Sequence, residues 1–180
     1  MTKYEEILEA FRAGLPRKLA LSKAVEELPL RIRNAVSAEL DVPPGRAEFL
    51  SLMHGRDIPY VYLARPVHGE HNAKTWEPCL NDDVFFRDWD GILHFGLGLF
   101  LAASDLAPFM LHSAIAIEDI TEDTFTLVIV NAPGAIAVKI GDPNSYAEAA
   151  KKIADWMLAL QSDPRAALGE KALIGFGRRQ

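Results

Sequence analysis

The segment His68-Gly69-Glu70-His71, followed by Cys79, Asp82 and Asp83, holds the densest set of chemistry-bearing side chains in this chain. Imidazoles, a thiol and carboxylates are ligand types that zinc accepts. His68, His71 and Cys79 are therefore the candidate metal ligands, and zinc is the alternative to no cofactor at all. Their spacing matches neither the paired CxxC of a structural zinc site nor the HExxH of a helical metalloprotease, and the segment offers a single sulfur. As a nucleophile, Cys79 needs a base within hydrogen-bond reach and a lowered pKa. As a small, partly buried apolar residue it needs neither.

A second constellation rests on alternation. From residue 92 onward Leu93, Phe95, Leu97, Leu99 and Leu101 share one face of an expected strand, while His94, Gly96 and Gly98 share the other. The first face is a bulky core layer. The second lacks side chains at two successive positions, so a helix, another backbone or a ligand can approach closely there. In the next strand Met110, His112, Ala114 and Ala116 form a similarly slim face. A register placing His94 and His112 on one side borders a shallow concavity with two imidazoles. Gly96-Leu97-Gly98 is no nucleotide fingerprint, because neither the third glycine nor a following helix is present.

Asp82, Asp83, Asp88 and Asp90 are interleaved with Phe85, Phe86 and Trp89. Carboxylates at this density can serve acid and base chemistry, and they also crowd hairpin turns for conformational reasons. Trp76 and Trp89 amid these acids suit aromatic anchors for a protein partner with a basic rim, with burial in the core as the other reading. Arg17, Lys18, Lys23, Arg31, Arg33, Arg178 and Arg179 are diluted by neighbouring glutamates, and a solvated helix face accounts for most of them.

The elements that must position these residues divide the chain into a helical part over residues 1–55, a sheet over 58–141 and a C-terminal helical part over 145–174. Thr2 and Glu5 form a capping box, and Tyr4, Ile7, Leu8 and Phe11 recur at helical spacing up to an expected stop at Gly14 and Pro16. A further helical stretch starts near Arg17 and meets Pro29, which either kinks it or opens a new helix. Phe49, Leu50 and Met53 before Gly55 predict one more short helix. Strands are expected at 58–65, 84–87, 92–102, 109–118, 124–131 and 135–140. Residues 66–83 have no usable period and read as a long surface loop. The connectors after residue 84 are too short for helical crossovers, which predicts an antiparallel meander of five or six strands. Ser145 and Glu148 repeat the capping box ahead of a helix carrying Tyr146, Ala149, Ile153, Trp156, Met157 and Leu160. The fold class expected is α+β, with helices on one face of the sheet and a single domain.

Composition narrows the function classes. The chain has 180 residues, 49% hydrophobic and 24% charged, with a net charge of −6. That charge disfavours a phosphate-neutralising surface, so no nucleic-acid partner is expected. The start of the chain lacks a basic, apolar leader, and one cysteine cannot form an internal disulfide; a cytoplasmic location is the expectation. Between Gly91 and Ile117 the only charged residue is Asp105. Asp105, Pro108 and two histidines would nonetheless have to lie inside a membrane span, and none is expected. The expected function is a small protein-binding or regulatory module without catalytic activity. The alternatives are a metal-dependent hydrolase built on residues 68–83 and a small-molecule carrier with a pocket over Gly96 and Gly98.

Overall fold

The computed structural model describes residues 2–67, 76–88, 90–101, 109–130 and 132–161. Helix α1 (Lys3–Glu39) starts where the capping box places it: Thr2 Oγ1 accepts from the Glu5 backbone N–H at 3.3 Å, and the Glu5 carboxylate accepts from the Thr2 N–H at 2.6 Å. The expected stop at Gly14 and Pro16 does not occur. α1 runs for 37 residues through both Pro16 and Pro29, about 55 Å at 1.5 Å per residue. A proline removes one backbone donor and crowds the carbonyl four residues back. Burial of Leu28, Pro29, Ile32 and Val36 holds the C-terminal half in place across that defect. Helix α2 (Glu48–His54) ends at Gly55, whose φ of 64° lies in the left-handed region.

The strands are β1 (Val61–Pro66), β2 (Trp76–Pro78), β3 (Phe86–Arg87), β4 (Leu93–Leu101), β5 (Phe109–Ile120), β6 (Thr124–Ile129) and β7 (Ile136–Lys139). They form one antiparallel sheet in the order β2-β1-β4-β5-β6-β7, and the fold is α+β with an N-terminal and a C-terminal helix. From β4 to β7 the chain is the expected meander. Ahead of β4 it is not: β1 pairs outward with β2 and inward with β4, and β3 pairs with β4 beyond the end of β1, at Phe86↔His94. The short β2 was absent from the sequence expectation, and the strand expected at 84–87 shrinks to two residues.

Helix α3 (Pro143–Gln161) begins two residues before the expected cap. Pro143 needs no donor at the first helical position, and the Asp142 carboxylate accepts from the Asn144 N–H at 3.0 Å. Ser145 does something else: its hydroxyl accepts from the Lys139 N–H at 2.7 Å, tying α3 to β7. The main core lies between the sheet and the two long helices. Phe95, Leu97, Leu111, Ile115, Phe125, Leu127 and Val138 on one sheet face meet Leu28, Ile32 and Val36 of α1 and Ala149, Ile153 and Met157 of α3. A smaller cluster on the opposite face joins Leu50 of α2 to Ile58, Tyr62 and Phe100. Among the described residues no helix is long and apolar enough to cross a membrane.

Candidate functional site

The alternation in β4 is realised, and the antiparallel register puts the slim positions of three strands together. Gly98 pairs with Tyr62 of β1 and His112 of β5; Gly96 pairs with Ala64 and Ala114. His94 and His112 therefore lie on the same face, four pairing positions apart along the ladder.

The space above the glycines is filled by the chain's own aromatic side chains. A methyl group on Gly98 would overlap the Tyr62 ring, whose Oη lies 2.7 Å away, and one on Gly96 would overlap Trp76 Cζ3 and the Ala64 carbonyl. The Tyr62 hydroxyl reaches His112 Nε2 at 2.8 Å. Trp76 stacks on the His112 ring, with centroids 5.7 Å apart and planes 11° apart, and meets Phe86 edge-on at 5.8 Å. Phe86 in turn stacks on His94 at 5.4 Å. The result is a continuous row, Tyr62-His112-Trp76-Phe86-His94, laid across β4.

Electrostatics in this row favour neutral groups. Desolvation pushes the Tyr62 hydroxyl above its usual range, and it pushes His112 down to about 4. A neutral His112 can accept the Tyr62 proton at Nε2. His94 is buried, its Nδ1 lies 3.0 Å from the Ile92 carbonyl, and its Nε2 is 3.9 Å from Asp88 Oδ2. The carrier reading thus lacks the open floor it requires at Gly96 and Gly98. Trp76 is half-buried within the row.

The metal candidates divide differently. His68 and His71 lie outside the described residues, as does Trp89. Among the described residues no group of three histidine, cysteine or carboxylate side chains could hold a metal ion. Cys79 is half-buried, and desolvation pushes its thiol up to about 12 despite Arg65 and Arg56 nearby. A thiol held that high is a poor nucleophile at neutral pH.

The feature that sequence reasoning passed over is the N-terminal half of α1. From Lys3 to Ala20 every side chain except Leu8 and Gly14 is exposed. Tyr4 (72% exposed), Ile7 (69%), Phe11 (53%) and Leu19 (61%), with Leu15 between, form an apolar stripe at helical spacing on a half-helix that buries no side chain. The periodicity itself was visible; the expected stop at Pro16 made it look like a separate helix lying on the sheet. Arg17 is ion-paired to Glu122 in the β5–β6 turn. A smaller apolar patch, Phe49, Leu52 and Met53, is exposed on α2. In the adjacent groove of about 390 Å³ Arg46 pairs with Asp57 at 2.7 Å and Arg56 donates to the Pro78 carbonyl.

Comparison of the chain with protein-family models, curated proteins and solved structures finds no match.

Proposed function

We propose that this chain is a protein-binding module and that the exposed stripe of α1 is its docking surface. The carrying observation is the stripe Tyr4, Ile7, Phe11, Leu15 and Leu19, apolar and exposed on the half of α1 that buries no side chain and is tied to the β5–β6 turn through Arg17 and Glu122. A contiguous apolar surface of this kind is costly in water and marks interaction sites, and an amphipathic helix presenting anchors at such spacing is a recurring recognition element. The net charge of −6 favours a partner that brings basic groups to the rim. A cytoplasmic setting suits the single free Cys79.

The test is a photo-activatable residue placed at Phe11 in the native cell, with the exposed Lys151 of α3 as the control position. Covalent protein adducts formed from position 11 and not from position 151 are the expected result. Equal labelling at the two positions, or none at position 11, overturns the proposal.

A further inference from the structure

We infer that the docking surface on α1 takes a second copy of this chain, the two N-terminal half-helices lying antiparallel about a two-fold axis near Phe11 and Arg12. The inference rests on the reading of the stripe as a docking surface and adds the identity of its occupant.

Charge along the segment is polarised. Residues 3–10 carry Lys3 against Glu5, Glu6 and Glu9, a net −2; residues 11–18 carry Arg12, Arg17 and Lys18, a net +3. All of these side chains are exposed, and Arg17 is already paired with Glu122 of its own chain, so Arg12 and Lys18 are the cations offered to a second copy. An antiparallel pair sets the acidic half of each copy beside the basic half of the other, within the Debye length at physiological salt. A parallel pair stacks acid on acid and base on base.

The apolar stripe has the same symmetry. With the crossing at Phe11 and Arg12, Tyr4 faces Leu19, Leu8 faces Leu15, and Phe11 meets its own symmetry mate. Every contact off the axis then occurs twice, as a self-complementary two-fold interface requires. Gly14 fits this arrangement. Glycine is a poor choice inside a helix, and within the chain a methyl group there would meet nothing within 4 Å. Packing inside the protomer therefore gives no reason for it, whereas bare backbone beside the stripe lets a second helix approach closely. The Lys18 ammonium, 6.0 Å from the Phe11 ring centre, sits at the rim, where the other copy's Glu5 and Glu6 arrive.

The experiment is analytical ultracentrifugation of the purified full chain. A short helix pair is a small interface, so the mass is expected to climb from 19.9 kDa toward twice that value over roughly 1 to 500 µM. Glu6→Lys with Glu9→Lys makes both halves of the segment net basic; Arg12→Glu with Lys18→Glu makes both net acidic. Each double variant alone is expected to lose at least tenfold in self-association, and an equimolar mixture of the two to regain it. In a Cys79→Ser background, Phe11→Cys should form an intermolecular disulfide on oxidation and Leu19→Cys should not. A wild-type mass fixed at 19.9 kDa across the range, charge variants that associate like wild type, or preferential crosslinking at Leu19→Cys would each overturn the inference. A monomeric chain whose position 11 still captures a different protein in the cell defeats the second copy and leaves the docking surface standing. Failure of both experiments defeats both.

Discussion

The Tyr62 hydroxyl lies 2.8 Å from Nε2 of His112, bridging from β1 to β5 over the bare Cα of Gly98. Gly98 is what allows the bridge, since any side chain there would occupy the position of the Tyr62 ring. Gly98→Ala should therefore cost roughly 1 to 3 kcal/mol through overpacking. Tyr62→Phe, which removes the hydrogen bond alone, should cost about 1 kcal/mol. The two should fall short of additivity, because the displaced ring has already lost its partner. Urea denaturation of both single variants and the double variant measures all three quantities. An unchanged midpoint for Gly98→Ala would show that the ring has other places to go.

Acid should weaken the same bridge. Desolvation lowers His112 from 6.5 to about 4 in the folded chain, so between those values the unfolded state binds the extra proton. Stability is then fully present above pH 6.5 and declines as pH falls toward 4, by up to about 3 kcal/mol if the shift is fully expressed. Below pH 4 both states are protonated and this contribution to the slope vanishes. His112→Gln should flatten the dependence between pH 7 and 4.5. A variant with the wild-type slope there would assign the acid sensitivity to other groups.

What the sequence conveyed follows from the range of the forces involved. Period-two alternation from Leu93 to Leu101 is local, and it specified both the core layer and the glycine floor. What filled that floor was set by long-range pairing: Trp76 arrives through a three-residue strand whose only specification is its pairing with β1, at Pro66↔Trp76 and Ala64↔Pro78. A three-residue strand has too few positions for a period. The choice left open at Pro29, a kinked helix or a new one, has the same origin. Local propensity says a proline ends a helix, while burial of Leu28, Ile32 and Val36 against the sheet, invisible without the tertiary structure, carries α1 through Pro29.

Cys79 should be sluggish toward thiol reagents. Its thiol is pushed up to about 12 by desolvation, against about 8.5 for a free cysteine, so its thiolate fraction near pH 8 is about a thousandfold below that of an unfolded chain. Labelling by a disulfide reagent should be at least a hundredfold slower in buffer than in urea. Comparable rates in the two conditions would mean that the thiol is held in its reactive form, and the nucleophile reading would regain ground.

Two leucines at opposite ends of the burial scale test the division between core and surface. Leu97 is fully buried beneath the helices, so Leu97→Ala should cost about 2 to 5 kcal/mol from lost transfer energy and the cavity left behind. Leu19 is 61% exposed on the N-terminal half of α1, and alanine there preserves helix propensity. Leu19→Ala should therefore change the unfolding free energy by no more than about 0.5 kcal/mol, measured in urea at a protein concentration low enough to keep the chain monomeric. Its effect belongs to association, where it removes the side chain facing Tyr4 of a second copy. A loss above about 1 kcal/mol for Leu19→Ala in the monomer would mean that the stripe packs within its own chain, and the docking surface would have to be sought elsewhere.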